Sequence, residues 1–286
     1  MEKSIRELLE FSIINLDKPQ GPTSFGTDII VKKMLGAKIA SHYGTLDPQV
    51  TGVLPIALNK ACRLQGYFMH KNKTYVGIMR LHKEIEKEKL ESEIKNFLGK
   101  IKQTPPIKSR VKRVERERTV YSWNILEING KDILFEAEVE AGTYIRKLIS
   151  DLGEKIGGAH MLELRRTKAG IFSETDENFV NLYELEKAVE DLKNGNEANL
   201  RGILISGEDA IKKVMPAVQV REESIKKLHN GSPIFREFLD SELPESKRFA
   251  VFCNERFIGV YKSGKEGNIL ARPEFVFKAR FKKGDV

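Results

Sequence analysis

Cysteine, histidine and tryptophan are scarce, at two, five and one in 286 residues, and each scarcity removes a class of protein. Cys62 and Cys253 are too few and too far apart for a disulfide framework or a structural zinc site, so both are expected as small apolar residues of the interior. The histidines, at 42, 70, 82, 160 and 229, show no paired ligand spacing, and no metal is expected. Long apolar runs are missing too. Nothing approaches the roughly 18–20 residues that span a bilayer. The opening MEKSIRELLEF has no basic-then-apolar secretory pattern, so the expectation is a cytoplasmic protein without membrane contact. Neither a GxGxxG nor a GxxxxGKS/T phosphate loop occurs.

Charge is abundant, with 49 Lys and Arg against 41 Asp and Glu, a net +8 that suits a polyanionic partner without identifying one. The length suits one large domain and one small one. The boundary is placed near Val214-Met215-Pro216, giving domains of 1–213 and 214–286. Phe11 to Leu16 reads as a buried strand feeding a tight turn, KPQGPTS, and Ser24 is placed to cap a helix that Gly36 stops. Lys73 to Leu81 is strand-like, whereas Glu84 to Leu98 carries Leu90, Ile94, Phe97 and Leu98 at helical spacing. Thr119 to Ile128 and Lys131 to Glu140 form a hairpin around Asn129-Gly130. Tyr144 to Ile156 is helical, ended by Gly157-Gly158, and His160 to Lys168 returns as a strand. Asn181 and Glu184 make a capping box for a helix that Gly195 closes. Beyond the boundary the short β runs AVQV, RFAVFC, RFIGVY and FVFKARF, with a short helix near Glu222 to His229, point to a compact β-barrel-like module.

Two stretches carry the chemistry: Lys18 to Ser24, KPQGPTS, and Gly44 to Leu54, GTLDPQVTGVL. An isolated Asp-Pro is an ordinary helix start. Here it lies between two glycines and about thirty residues after the first stretch. Further along stand Lys73-Thr74-Tyr75, then GTYIR at Gly142 to Arg146, then HMLELRRTKAGIF at 160 to 172. The order and spacing of these blocks, from about Leu8 to Leu192, resemble the TruB/dyskerin family of pseudouridine synthases. TPPIKSRVKR at 104 to 113 is closer to the archaeal and eukaryotic dyskerin-type branch than to the bacterial tRNA enzymes.

The resemblance implies an α/β (α+β) fold with a central mixed, mainly antiparallel sheet, plus a C-terminal PUA-like, RNA-binding β-barrel. That last likeness rests on position, on the connector LRGILISGEDAIKKVMPAVQV and on the pattern ending in Gly259 and Lys278 to Lys283. It also implies site roles: Asp47 as the essential catalytic residue, Arg146 as its partner, Tyr75 stacking on the target base, and Tyr144 as a further active-site residue. Lys18 takes a supporting role behind the aspartate loop. Leu164, Arg165 and Arg166 are read as lining, with Leu164 shaping the apolar wall of the pocket.

The chemistry agrees with so short a set of residues. Converting uridine to pseudouridine breaks a glycosidic C–N bond, turns the base and forms a C–C bond, with no redox change and no group added, so no cofactor is demanded. It does demand a carboxylate at the reacting centre. Closing a site around a carboxylate disfavours its charge, and an adjacent guanidinium restores it and fixes its direction. A base inside RNA must leave its stack and rest on an aromatic face.

The densest positive stretch, KSRVKRVERER, holds Lys108, Arg110, Lys112, Arg113, Arg116 and Arg118 against two acids. Such a run is often only a solvated face. This one resembles the family's substrate-clamping loop, which implies phosphate contacts that position RNA without reading its sequence. The combined expectation is the catalytic subunit of an archaeal H/ACA ribonucleoprotein, with a guide H/ACA RNA, an rRNA substrate and small protein partners. Two rivals remain: a stand-alone enzyme of the tRNA T-loop, and a non-catalytic RNA-binding assembly factor. Intact Lys18, Asp47, Tyr75, Tyr144 and Arg146 weigh against the second.

Overall fold

The first strand, β1 (Ser12–Lys18), is buried along nearly its whole length, as a strand covered on both faces must be. In the computed structural model, which describes residues 3–105, 111–240 and 242–277, it lies inside the large sheet of the first of two compact units, Met1–Ile205 and Ser206–Val286. Lys108, Arg110 and Lys278 to Lys283 lie outside the described residues.

Ten more strands complete the sheet: β2 (Ala40–His42), β3 (Thr51–Leu58), β4 (Lys73–Leu81), β5 (Gly99–Gln103), β6 (Arg116–Asn129), β7 (Asp132–Val139), β8 (Ala159–Ala169), β9 (Phe172–Ser173), β10 (Phe179–Asn181) and β11 (Leu204–Ser206). The path runs β10-β1-β3-β8-β4-β7-β6-β5, with β11 beside β1, β2 beside β3 and β9 beside β8. Pairs β1–β10 and β3–β8 are parallel, whereas β1–β3, β2–β3, β4–β7, β4–β8, β5–β6, β6–β7 and β8–β9 are antiparallel. This is the mixed, mainly antiparallel α/β arrangement expected. The helix Ile145–Ile156 buries Ile145, Leu148, Ile149 and Leu152 on one stripe against the core. Each such side chain contributes roughly 1.5–3 kcal/mol of apolar burial.

Several local elements differ in detail from the sequence expectation. Thr23, not Ser24, caps the helix Ser24–Leu35, accepting from the Gly26 N–H. Ser24 is its first residue, and its hydroxyl is used elsewhere. The helix expected over 84–98 is shorter, Lys87–Lys95; Leu90 and Ile94 are buried but Leu98 is exposed, because the chain has already left the helix. The β6–β7 turn sits one residue later than read, with Asn129 still paired to Asp132 and Gly130 at positive φ. Asn181 and Glu184 do form a capping box. Cys253 is buried, whereas Cys62 is only partly covered.

In the second unit a five-stranded sheet runs β12 (Ala217–Gln219), β14 (Arg248–Cys253), β15 (Arg256–Glu266), β16 (Ile269–Val276) and β13 (Ile234–Phe235). Register shifts at Val251/Phe252, Val260/Tyr261 and Ser263/Glu266 bend it around Val218, Leu228, Phe249, Ile258 and Tyr261. The expected strand FVFKARF begins earlier than read and is described only to Val276.

One row of residues crosses the large sheet and positions everything that follows: Lys18 opposite Gly52, Gly52 opposite Arg166, Arg166 opposite Tyr75, Tyr75 opposite Ala137. Gly52 is the tightest point of that row. A Cβ there would stand 2.2 Å from the Arg166 carbonyl oxygen, and φ is +100°. Gly52→Ala is therefore expected to lose about 2–4 kcal/mol of stability, read as a lower denaturant midpoint. An unchanged midpoint would show that β3 and β8 can separate at no cost.

Candidate active site

Asp47 stands at the tip of the loop between β2 and β3, and its flanks are tied down on both sides. The Tyr43 N–H donates to Pro55 O (2.8 Å), and the buried Tyr43 hydroxyl donates to Ala61 O (2.6 Å) while the ring stacks on Phe68. The Ser24 hydroxyl donates to Leu46 O and accepts from Leu46 N, both at 2.8 Å. On the other flank the Lys18 ammonium donates to the carbonyls of Pro19 (2.8 Å), Pro48 (3.3 Å) and Val50 (3.0 Å). The Gly21 N–H adds a bond of 2.9 Å to Pro48 O. The KPQGPTS turn is thus the cradle of the aspartate loop. Burial pulls the Lys18 ammonium below its usual range, and the Asp47 carboxylate acts against that shift.

Arg166, 1% exposed, lies beneath the same loop. Its guanidinium donates to Val53 O (2.8 Å) and Gly44 O (2.9 Å), and the nearby Tyr75 side chain favours its charge against the effect of burial. The two residues are neighbours because a β-bulge between Thr74 and Tyr75 skips Thr167 in the β4–β8 ladder and sets Arg166 opposite Tyr75. Arg165, one residue earlier, faces the other way and holds Asp17 (3.0 Å) and Glu174 (2.7 Å). Leu164 is buried in the core, close to Gly77 and Phe135. Lys73, also buried, donates to the carbonyls of Met69 and Lys71. Burial first, and then the Arg166 guanidinium, pull it from 10.5 to about 8.

The GTYIR turn meets the aspartate from the far side. Tyr144 occupies the cap position of the helix Ile145–Ile156, which sets Arg146 in its first turn. Arg146 Nη1 lies 3.4 Å from Asp47 Oδ2, and Nη2 donates to Gln49 Oε1 at 3.3 Å. Their side chains are 44% and 59% exposed, so the carboxylate is not buried here as the closed-site argument pictured. A pair this open contributes about 0–1 kcal/mol to stability. Its value lies in direction: catalytic contacts are commonly long in a free enzyme and tighten on substrate.

Asp47, Arg146, Lys18, Tyr75 and Arg166 are therefore brought together at one end of β1, β3, β8 and β4, with Tyr144 on the adjoining turn. Lys112, Arg113 and Arg116 are exposed, and the acids of their run, Glu115 and Glu117, pair with Lys102 (3.4 Å) and Lys100 (2.9 Å) on β5. Several contributors were missed by sequence reasoning. His42 bridges buried Asp28 (2.7 Å) and Thr45 (3.1 Å), two residues before Asp47. Tyr43 and Gln103 also escaped notice. Gln103 had one signal, its position two residues from Ile101 on an alternating strand; His42 and Tyr43 had none, since Asp28 and Ala61, which they bond, stand 14 and 18 residues away.

The chain matches the TruB family pseudouridylate synthase N-terminal domain over residues 32–145 and the tRNA pseudouridylate synthase B C-terminal domain over 146–212. It is 45% identical over 233 residues, 81% of its own length and 68% of the relative's, to a probable tRNA pseudouridine synthase B of Methanopyrus kandleri. A probable tRNA pseudouridine synthase B of Methanosarcina barkeri is 40% identical over 88% of this chain and 75% of the relative. Among solved structures, a Cbf5-Nop10-Gar1 complex superposes with a TM-score of 0.88 and 36% identity, covering 97% of this chain and 88% of the other. An H/ACA RNP bound to a substrate RNA containing 2'-deoxyuridine gives 0.86 and 34%, over 97% and 88%.

Lys73 supplies a pH signature. Between about 8 and 10.5 the unfolded chain holds more proton on this group than the folded one, so its contribution to stability rises with pH across that window. Below it the fold carries the whole penalty of the buried charge. At constant ionic strength the unfolding free energy of the wild type is expected to gain on that of Lys73→Met as pH climbs from 8 towards 10.5. A difference that stays flat across the window removes the buried-charge account.

Proposed function

The chain belongs to the TruB family of pseudouridine synthases, enzymes that isomerise uridine to pseudouridine in RNA, and from that premise we propose that it modifies rRNA uridines chosen by an H/ACA guide RNA. The observation that carries the guided reading is the extent of the likeness to Cbf5 in its complexes: 97% of this chain, both units included, at 36% identity. A protein guided by base pairing needs mainly backbone contacts and a pocket for one extruded base. The small H/ACA proteins are its expected partners, and the C-terminal sheet is its PUA-like RNA-binding module. The acids of the 108–118 run are already paired, which leaves Lys112, Arg113 and Arg116 as surplus positive charge for phosphates. Lys108 and Arg110 extend the same run in sequence.

In this reading Asp47 presents its carboxylate to the target nucleotide while the N1–C1' bond breaks and the C5–C1' bond forms, the proton displaced from C5 ending on N1. Atoms balance without a cofactor. Arg146 orients Asp47, Tyr75 offers its ring to the base, and Tyr144 lines the site. Lys18 and Arg166 act on the loop and on Tyr75, not on the RNA. A second reading has support of its own, because the curated relatives bear the name probable tRNA pseudouridine synthase B; there the substrate is a tRNA, taken without a guide.

One assay separates these readings. With a matching guide and partner proteins, one defined uridine of an rRNA fragment is expected to be modified, and moving the guide's complementary sequence should move the modified position. Asp47→Asn should abolish turnover while RNA affinity stays within a few-fold. Failure of every guide to redirect the site, with tRNA modified by the lone chain, would establish the tRNA reading instead. For the basic run, Ala at Lys112, Arg113 and Arg116 together is expected to flatten the slope of log affinity against log salt by up to roughly 0.7–0.9 per lost contact. An unchanged slope returns the run to a solvated face.

A further inference from the structure

We propose that Gln103 is a positioning residue of the isomerisation, fixing the backbone of Tyr144 and through it the direction of Arg146; the inference rests on the pseudouridine synthase reading of this site. Gln103 is the last residue of β5 and is 3% exposed. Its side-chain amide makes both bonds that a neighbouring strand would make. Oε1 accepts from the Tyr144 N–H at 3.0 Å, and Nε2 donates to the Tyr144 carbonyl at 3.3 Å. Tyr144 is extended, at φ −93° and ψ 101°, and no side chain caps the helix that follows. The Tyr144 carbonyl also accepts from the Leu148 N–H at 2.9 Å, the first bond of that helix. The amide therefore sets the plane from which the helix starts, and Arg146 leaves the chain two residues later.

The contacts of Arg146 itself are too long and too open to do this alone, at 3.4 Å to Asp47 and 3.3 Å to Gln49. The other end of the turn is held from the same arm of the sheet. Arg118 on β6 lies against Gly142, where a Cβ would come within 3.1 Å of Nη2, and reaches Glu140 at 3.5 Å. Strands β5 and β6 pair directly, Gln103 opposite Arg116. β5, which ends before the basic run, and β6, which carries the run's last residues, therefore hold the GTYIR turn at Tyr144 and at Gly142. A displacement of about 1 Å in such a frame costs on the order of 10²-fold in rate.

The test uses the full chain in single-turnover assays, with pseudouridine formation and RNA affinity measured separately. Gln103→Met, close in size but without either bond, is expected to slow the chemical step by about 10–100-fold with affinity within a few-fold. Gln103→Glu gives a readout that a merely structural role would not. Its carboxylate accepts from the Tyr144 N–H but faces the Tyr144 carbonyl with a lone pair; protonated, it donates to that carbonyl and restores both bonds. Burial raises a glutamate above its ordinary value of about 4.3. The ratio of variant to wild-type rate should therefore climb as pH falls from 8 to 5. A wild-type rate in Gln103→Met, a ratio for Gln103→Glu flat with pH, or a rate loss matched by an equal loss of affinity each overturns the proposal. If Gln103→Met does not fold, the pH dependence of Gln103→Glu decides. A wild type that forms no pseudouridine on any RNA refutes the parent reading instead, which keeps the two failures distinct.

Discussion

Three buried cations, Lys18, Lys73 and Arg166, lie under one exposed carboxylate, and they donate to backbone carbonyls: Lys18 to Pro19, Pro48 and Val50, Lys73 to Met69 and Lys71, Arg166 to Gly44 and Val53. Burying charge this way opposes folding, as the lowered values of all three groups record. What it secures is the path of the main chain. A carbonyl accepting from a buried ammonium cannot turn away without leaving that charge unsolvated. Each cation thus locks a stretch of loop, and the stretches between Tyr43 and Val50 carry Asp47 at their tip.

The sheet makes this possible at a single crossing. β3 and β8 are parallel over only Thr51–Arg165 and Gly52–Arg166, yet that contact joins β1 and β10 to the β4–β7–β6–β5 arm. Gly52 has no side chain because the β8 backbone occupies its space. The same pairing delivers Arg166 to the underside of the loop, and the adjacent bulge delivers Tyr75 to Arg166. Fold and site therefore share one cause: a substitution at Gly52 would loosen the sheet where it also aims the loop that carries Asp47.

Reading the sequence reached the strands, the capping box at Asn181 and the mainly antiparallel sheet because these rest on local signals: alternation, turn residues, and side chains three apart. Asp47, Tyr75, Tyr144 and Arg146 are picked out as candidates by motifs at characteristic spacing, not by any physical property of those positions taken singly. Ser24 shows the limit. Its hydroxyl looked like a helix cap, and the structure gives that work to Thr23 and uses Ser24 on Leu46, twenty-two residues away. Arg166 was read as lining for the same reason. Nothing in ELRR distinguishes Arg165, which holds two carboxylates, from Arg166, which is fully buried, until the strand's two faces are assigned.

Exposure then divides the labour within the site. The groups that would touch RNA, Asp47 and Arg146, remain more than a third open, while the groups proposed to aim them, Lys18, Arg166 and Gln103, are almost wholly covered. A covered group has its hydrogen bonds completed before any ligand arrives, so it loses little further freedom on binding. An open pair keeps its electrostatic interaction weak in water, and that interaction strengthens when a bound base displaces solvent from around it. The arrangement accordingly places the penalties of burial in folding; in the proposed reading it reserves the strengthening of Asp47 by Arg146 for the bound state, where it would favour the chemical step over mere association.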